Sequence, residues 1–220
     1  MRKLDRDPNG PACLAKYAST QEWKDLVTED KNETRISLER MQGRRCAYCE
    51  GPLDEWGHHI DHFRPRSRFR DLTFEWTNMF LSCDSKGSDL SCGRYKDGRG
   101  DGSRGRGASE YNPDNLLDPC VDDLSAFLDF KRDGNVRQRR GLEQHDAYRA
   151  GETIRVFKLQ APRLRQRRKI LADFYYGDNQ IRLESLSKQD RKAYIEAEIQ
   201  RTANEPFSGV IRQLLEQLVR

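Results

Sequence analysis

The pattern of hydrophobic and polar positions predicts helices near the start of the chain and over its last third. Apolar residues recur among charges between positions 20 and 41, at the three-and-four spacing of a helix that packs one face. The spacing is interrupted between Asp30 and Thr34, so we expect the helix to break there. Residues 1–44 therefore form a predicted N-terminal helical segment.

The C-terminal region, residues 110–220, shows the same periodicity in several pieces. Residues 143–174 are predicted to be helical with an interruption at Pro162, and Ser187 begins a capping sequence for another helix. A last helix follows Pro206, and its apolar face consists of Phe207, Val210, Ile211, Leu214, Leu215 and Leu218. This face packs against the rest of the chain or against a partner, and packing within the chain is the favoured interpretation.

The middle of the chain is predicted to be extended or irregular. Residues 45–97 combine cysteines, histidines and aromatic residues with short apolar runs, which are typical of brief strands and tight turns. Residues 98–109 are rich in glycine and arginine, so we predict a flexible connector there. In the region that follows, Asp133-Gly134 between two β-tolerant runs indicates a hairpin.

Composition narrows the classes of function. Charged residues make up 35% of the 220 residues and the mean hydropathy is −0.98, which indicates a modest core and much polar surface. No apolar run approaches the ~18 residues of a membrane span, and the N-terminus lacks the apolar stretch of a signal peptide, so we expect a cytoplasmic protein with no membrane partner. The net charge of +4 does not by itself indicate a nucleic-acid binder, but basic residues cluster at positions 64–70 and 163–169.

Four of the six cysteines have the arrangement of a zinc site. Cysteines in a chain with no predicted leader are more often metal ligands than disulfides. A C-x-x-C pair and a second, wider pair supply the predicted ligands of a tetrahedral zinc, which are Cys46, Cys49, Cys83 and Cys92. The alternative is a set of buried thiols without a metal. Cys13 and Cys120 are interpreted as ordinary buried thiols.

The segment HHIDHFRPRS, residues 58–67, carries the candidate chemistry. Asp61 offers a hard oxygen ligand for a divalent cation, and the imidazole of His62, with an ordinary pKa of ~6.5, suits proton abstraction near neutral pH. Neighbours on a strand point to opposite sides, so the two share one site only at an irregular strand end. His58 and His59 are more typical of polar surface or supporting groups.

Basic residues near His62 suit a phosphate group. Arg64, Arg66 and Arg68 follow His62 closely enough to reach a bound phosphate, and guanidinium groups make paired contacts with phosphate oxygens. Lys96 is a further candidate contact to nucleic acid. The alternative for such a run is a solvated face.

Between residues 45 and 97 the sequence resembles the HNH endonuclease family. The shared pattern is a cysteine pair, the dipeptide Asp61-His62, Asn78 before a second strand, and a second cysteine pair that opens a short helix. The resemblance implies that His62 is the general base and that Asn78 braces the loop and orients the histidine. It also implies a catalytic divalent ion, Mg²⁺ above all, bound by Asp61 in addition to the structural Zn²⁺.

One position departs from the family pattern. The residue after the fourth cysteine, usually His or Asn, is Gly93, which has no side chain to bind a metal. Either His59, Asp84 or Asp89 completes the metal shell, or part of the activity is lost. We assign His59 to the catalytic metal together with Asp61.

A narrower resemblance covers most of the chain. The segments MRKL, HHIDHFRPRS, WTNMFLSC, NLLDPCVDD, FKRDGNV and TIRVFKLQAPRLRQRRK are similar to the HNH nuclease subunits of Septu-type and retron-associated antiphage systems. This resemblance implies a nuclease effector that works with an ABC-type ATPase. Residues 163–169 are then candidates for the substrate path, and the last helix is a candidate for the partner contact.

The sequence thus predicts an α+β fold, with a zinc-stabilised ββα-metal core embedded in a mainly helical chain. The predicted function is metal-dependent hydrolysis of phosphodiester bonds, with DNA as the expected nucleic acid. One alternative is a zinc fold that binds nucleic acid or protein without cutting. Another is a stand-alone HNH enzyme of the restriction type, which needs no ATPase.

Overall fold

The computed structural model describes residues 3–98, 107–108, 110–177 and 183–218, so most of the predicted connector lies outside the described residues. Helices and short antiparallel strands are mixed, in agreement with the α+β class. The helices described are α1 (Thr28–Gln42), α2 (Leu53–Trp56), α3 (Cys92–Lys96), α4 (Leu124–Phe127), α5 (Gln144–Val156), α6 (Pro162–Tyr176), α7 (Lys188–Arg201) and α8 (Ser208–Gln217). The strands described are β1 (His58–His62), β2 (Met79–Cys83), β3 (Leu128–Phe130) and β4 (Val136–Gln138).

Helix α1 runs without interruption through the stretch where the sequence predicted a break. The prediction was wrong because the polar residues there are satisfied inside the helix: the Thr34 hydroxyl donates to the Asp30 carbonyl oxygen at 2.8 Å. The chain instead bends before α1, where Trp23–Asp25 form a separate 3₁₀ turn and Val27 is extended. The helix ends at Gly43, whose left-handed conformation (φ 59°, ψ 43°) suits glycine.

Strands β1 and β2 form the hairpin that carries the candidate residues. They pair antiparallel, with Asp61 opposite Phe80 and His62 opposite Met79. Every residue of β2 is buried, as its apolar sequence MFLSC requires, and β2 packs against both α1 and α3. Because α3 begins at Cys92, the hairpin and this helix bring the second pair of cysteines together with the first.

Strands β3 and β4 form the second hairpin, at the predicted turn Asp133-Gly134. Gly134 has φ +80°, and a Cβ at this position would lie 2.0 Å from the carbonyl oxygen of Arg165. Both the turn and the close approach of α6 therefore require glycine.

The C-terminal helices follow the boundaries that the sequence predicted. Pro162 occupies the first turn of α6, where its missing N–H is not needed, and the Ser187 hydroxyl caps α7 by accepting the Asp190 N–H at 3.1 Å. Helix α8 packs against α6, α7 and β3, with buried residues Ser208, Gly209, Val210, Ile211, Gln213, Leu214 and Leu215. Its apolar face therefore packs against other helices and a strand of the same chain.

One hydrophobic cluster joins the N-terminal, central and C-terminal regions. It extends from Leu4 to Leu215 and includes the four predicted zinc ligands. The predicted boundaries between regions, at residues 44, 97 and 109, stay a prediction. The regions that they separate share one hydrophobic core. In the part of the chain that the structure describes, no helix has the length and apolar character needed to cross a membrane.

Candidate functional site

The side chains of four cysteines converge in the core. Cys46 and Cys49 lie in the turn after α1, Cys83 ends β2 and Cys92 begins α3. Their sulfur atoms all lie within 4.8 Å of one another, and Cys49 Sγ is 3.8 Å from Cys83 Sγ. A tetrahedral zinc with Zn–S bonds of ~2.3 Å places its sulfurs roughly 3.8 Å apart. The cluster therefore has the geometry of a site for a metal such as zinc.

Two arginines of α6 lie close to the cysteine cluster. Arg163 Nη2 is 4.0 Å from Cys83 Sγ and donates to the Asp84 carbonyl oxygen at 3.0 Å. Arg168 is 2% exposed and donates to two backbone carbonyls; burial lowers its pKa to about 10, although the thiols of the cluster act in the opposite direction. Four thiolates around a divalent ion leave a net charge of about −2, so these cations stabilise an occupied cluster.

Most of the basic run 163–169 is thereby committed to the fold. Beyond the two arginines beside the cysteines, Arg167 pairs with Glu55 and Lys169 pairs with Asp173, each at 2.5 Å. Arg163 and Arg168 are therefore structural, whereas the exposed members of the run leave the suggested substrate path a prediction.

His62 is the last residue of β1 and is 4% exposed. Its Nε2 lies 2.9 Å from the carbonyl oxygen of Thr73, and because a carbonyl only accepts, Nε2 carries the proton and Nδ1 carries the lone pair. The Trp23 indole packs edge-on against the imidazole, with ring centroids 4.7 Å apart. Burial lowers the pKa of His62 to about 3, so the ring is neutral near neutral pH with a lone pair on Nδ1. It is also a weaker base than the ordinary pKa of ~6.5 predicted, and the negative charge of a bound phosphate would be needed to raise that pKa.

We expect acid to destabilise the protein more steeply than it destabilises a His62→Gln variant. The pKa of His62 is about 3 in the folded chain and ~6.5 in the unfolded chain, so the unfolded chain takes up an extra proton between these values. The free energy of unfolding is therefore highest, as far as His62 is concerned, above ~pH 6.5. It falls by about 2 kcal/mol between about pH 7 and pH 5, because only the unfolded chain takes up the proton. Urea unfolding at both pH values measures it, and equal pH dependence in the two proteins would contradict the burial of a neutral imidazole.

Asn78 braces the segment that follows β1. Its Oδ1 accepts the Arg64 N–H at 2.7 Å, and its Nδ2 donates to the carbonyl oxygens of Arg64 and Leu72, both at 3.1 Å. Thr73, whose carbonyl orients His62, follows Leu72 directly. Asn78 therefore acts on His62 through the loop that holds the imidazole.

Asp61 has different neighbours from His62. The Asp61 side chain is fully buried; the Tyr48 hydroxyl donates to its Oδ2 at 2.5 Å, and Lys96 Nζ lies 3.4 Å from its Oδ1. Burial acts to raise the pKa of Asp61 above its ordinary value, while the Lys96 ammonium favours the charged carboxylate. Burial also acts to lower the pKa of Lys96, but Asp61 and Asp97 outweigh it and raise that pKa to about 12. A buried ion pair thus occupies the place where the resemblance implied a divalent metal.

The donors suggested for a catalytic divalent ion lie in two places. His59 Nε2 lies 4.0 Å from Asp61 Oδ1, while His59 Nδ1 is 2.9 Å from an oxygen of Asp84. Asp89 instead accepts the backbone N–H of Arg163 at 2.9 Å, at the start of α6. Among the described residues, no group of three close ligands contains Asp61 or His59. The assignment of Asp61 and His59 to a catalytic divalent ion therefore stays a prediction, and the Lys96 ammonium occupies the space beside Asp61 Oδ1.

Gly93→Ala is expected to destabilise the protein by roughly 1–3 kcal/mol in urea unfolding. A Cβ at Gly93 would lie 2.5 Å from Asp61 Oδ1 and 3.0 Å from Ser82 Oγ. Asp61 cannot give way without losing its contacts to Tyr48 and Lys96, so the added methyl disrupts the buried ion pair. Glycine after the fourth cysteine is therefore required by packing in this chain.

The matched control for that prediction is Gly151→Ala in the middle of α5. There a Cβ would lie within 3.4 Å of only the flexible amide end of Gln138, and alanine favours a helix interior. We expect this variant to lose less stability than Gly93→Ala. Equal stability of the two variants would contradict the tight packing around Asp61.

A cleft of about 260 Å³ opens beside His62. Arg66 and Arg68 border it, with their guanidinium groups 5.3 Å and 4.8 Å from the ring centroids of Trp23 and Tyr111. The cleft is also lined by Pro65, Ser67, Lys96, Asp97, Ala108 and Glu110. Two of the predicted phosphate contacts therefore share a cleft with the candidate base.

The two other predicted phosphate contacts are engaged by carboxylates, one at the surface and one in the core. Arg64 pairs with Asp114 at 2.5 Å. Lys96 is fully buried and donates to the His62 carbonyl oxygen at 2.9 Å and to the Asp97 carboxylate. A direct contact between Lys96 and a phosphate does not fit this position, although its charge lies in the wall of the cleft.

Three aromatic residues of the site were missed by the sequence analysis. Trp23 has the spacing of an ordinary helix residue, and Tyr111 lies beyond the connector, so neither gave a signal. Tyr48 lies between the cysteines of the C-x-x-C pair, and this position places it beside the metal cluster. Its contact with Asp61 depends on the folded hairpin.

Comparisons with known proteins relate the chain to Septu proteins. No protein-family model matches it. Septu protein PtuB of Bacillus mycoides (strain KBAB4) is 25% identical over 198 residues, which cover 78% of this chain and 63% of the relative. Septu protein PtuB of Bacillus thuringiensis is 28% identical over 127 residues, which cover 55% of this chain and 43% of the relative. The matched regions span less than two thirds of either relative, and they support the predicted relation to a Septu-type defence system.

Proposed function

We propose that the chain is an endonuclease of the HNH class. The observation that carries the proposal is the buried, neutral imidazole of His62, whose Nδ1 bears the lone pair beside a cleft bordered by Arg66 and Arg68. The HNH resemblance of residues 45–97 and the similarity to Septu protein PtuB support it.

We propose that Zn²⁺ occupies the cysteine cluster. The spacing and burial of the sulfurs fit a tetrahedral thiolate site, and the ligands would be Cys46, Cys49, Cys83 and Cys92. Bound zinc would tie β2 and α3 to the turn after α1. The hairpin and α3 would then form the ββα core of an HNH module.

In the proposed reaction, His62 Nδ1 accepts a proton from a water molecule, and the water oxygen attacks the phosphorus. The bond from phosphorus to the 3′ oxygen breaks, and the departing oxygen takes up a proton from solvent. Arg66 and Arg68 neutralise the phosphate, while Lys96 contributes positive charge from within the wall. The Thr73 carbonyl keeps Nε2 protonated and stabilises the imidazolium that forms.

The reaction as proposed has no step that requires the divalent ion implied by the HNH resemblance. Asp61 Oδ1 is a buried oxygen that accepts no hydrogen bond in the described part of the chain, but the Lys96 ammonium faces it at 3.4 Å. A cation at Asp61 would therefore have to displace Lys96. Strict dependence of cleavage on added Mg²⁺ would show that this displacement occurs in the active state.

We further propose that the chain is the effector subunit of a cytoplasmic antiphage defence complex with an ABC-type ATPase. The similarity to Septu proteins supports this assignment. The last helix is a poor candidate for the partner contact because its apolar face is buried. Ile170 and Phe174 on α6 are better candidates, since they are 53% and 55% exposed.

A second candidate function is a zinc fold that binds nucleic acid or protein without cutting. The closed ion pair of Asp61 and Lys96 favours it, because an HNH metal ligand is then not available to a cation. A stand-alone restriction-type enzyme differs from the leading proposal only in needing no partner.

The test is a cleavage assay with labelled single-stranded and duplex DNA and RNA. The chain is assayed alone and after co-expression with the products of its neighbouring genes, with Mg²⁺ and with EDTA. Internal cuts made only with a co-purified partner are expected for the effector, and cuts by the chain alone would identify a stand-alone enzyme. Binding without cutting in every mixture would overturn the nuclease proposal.

A further inference from the structure

A second cleft adjoins the one beside His62. It has a volume of about 400 Å³ and shares three wall residues with the first cleft, namely Arg68, Glu110 and Tyr111. Arg68 is fixed in this wall, because its Nη1 donates to the Tyr111 carbonyl oxygen at 2.8 Å and its guanidinium lies over the Tyr111 ring. A linear polymeric ligand with one unit bound in the first cleft can therefore bind its next unit in the second cleft.

The two clefts differ in chemical character. The first cleft has three cationic side chains and two carboxylates beside His62, namely Arg66, Arg68, Lys96, Asp97 and Glu110. The second has Arg68 as its one cationic side chain among the described residues, and it is lined by the rings of Phe69, Tyr111 and Tyr148 together with amide and carboxylate side chains. Its two carboxylates belong to Glu110 and Glu152, and Glu152 is held by Arg155 at 2.7 Å. Carboxylates repel a phosphate but accept hydrogen bonds from N–H groups. The second cleft therefore suits a flat, uncharged group with N–H donors.

Two aromatic side chains in the second cleft are placed for a ligand. Tyr148 lines the second cleft and is 52% exposed, so its ring is accessible to a ligand. Tyr111 is 8% exposed, yet its hydroxyl has no hydrogen-bond partner among the described residues. A buried phenol normally finds a partner, so a group bound at the junction of the clefts would satisfy it.

We propose that the second cleft is a nucleobase subsite and that the substrate is a single-stranded segment of nucleic acid. This proposal rests on the proposed nuclease function and specifies its substrate class. The phosphate lies at His62, Arg66 and Arg68, and the adjoining base stacks on Tyr148. In a duplex the bases are paired and stacked inside, so a base reaches this cleft only by flipping out. Flipping requires unpairing and unstacking energy, and an unpaired strand needs less of it.

The test measures binding, so that it does not depend on cleavage. Fluorescence anisotropy is recorded with the full chain in a His62→Ala background, using a short labelled DNA strand, the RNA strand of the same sequence, and the DNA duplex. Tyr148→Ala is expected to weaken binding of a single strand by about tenfold or more, because it removes a stacking ring. Tyr148→Phe, which keeps the ring, is expected to bind like the parent, and neither change should alter duplex binding.

The outcomes separate this proposal from the nuclease proposal. Tighter binding of either single strand than of the duplex, lost in Tyr148→Ala and kept in Tyr148→Phe, supports the subsite even if the wild-type chain does not cut. Equal binding of a single strand by Tyr148→Ala and its parent overturns the subsite and leaves the nuclease proposal intact. Failure of all three probes to bind overturns the subsite and contradicts direct action on nucleic acid.

Discussion

Replacing Cys83 with serine is expected to abolish binding of the zinc that we propose for the cysteine cluster and, with it, the folded state. Cys83 ends β2, is fully buried, and lies 3.8 Å from Cys49 at the centre of the cluster. A structural zinc site contributes ~10–16 kcal/mol of binding free energy, whereas a whole domain is stable by only ~5–15 kcal/mol. Metal analysis of the purified protein and thermal unfolding followed by circular dichroism measure the two losses.

Cys120→Ser is the matched control for this experiment. Cys120 is half-buried and does not belong to the cluster, so the same chemical change should leave the zinc content and most of the stability unchanged. If Cys83→Ser kept a full equivalent of zinc and unfolded at the temperature of the wild type, the cysteine cluster would not be a structural metal site.

Replacing His62 with alanine is expected to reduce cleavage by about 10²–10⁴-fold, the usual contribution of a general base. The Nδ1 atom that accepts the proton is lost, while Arg66, Arg68 and the cysteine cluster stay in place. Single-turnover cleavage by the active complex measures the effect. Zinc content and the circular dichroism spectrum are recorded in parallel, because a fall in either would make the loss structural.

His145→Ala controls for the loss of an imidazole. The His145 side chain is 74% exposed on α5, away from the cleft, so its removal should leave cleavage unchanged. Equal activity losses in the two variants would argue against a specific role for His62.

Local sequence patterns predicted the parts of the fold that depend on local chemistry. The cysteine spacing predicted a cluster, and the turn at Asp133-Gly134 and the helix starts at Pro162 and Ser187 are present as expected. Each of these depends on residues close together in the chain. The break expected within α1 is absent because hydrogen bonds inside the helix satisfy the polar residues there.

The arrangement of the site could not be predicted in the same way. The resemblance suggested Asp61 as a metal ligand, but in the structure its carboxylate contacts Tyr48 and Lys96. Gly93 also packs closely against this carboxylate, because glycine has no side chain. These residues meet only when β1 and α3 pack together. Burial of Lys96 follows from the same packing, and a single lysine in a sequence does not reveal it.

The clefts depend on contacts that are still more distant in sequence. Tyr111 reaches His62 from beyond the connector, and Tyr148 comes from α5. The spacing of these residues in the sequence does not indicate that they line adjoining clefts. The substrate class that we propose therefore rests on tertiary structure, and the sequence alone left it open.

Chemical rescue of the His62→Ala complex by imidazole would show whether an imidazole at this position takes up the proton. Single-turnover cleavage is measured with increasing imidazole, because a small base that enters the space left by the side chain can take up the proton in its place. We predict that His62→Ala cleaves about 10²–10⁴-fold more slowly than the wild type without imidazole and recovers cleavage in proportion to the neutral imidazole added. Cleavage by His62→Ala at the wild-type rate without imidazole would contradict the assignment of His62 as the base.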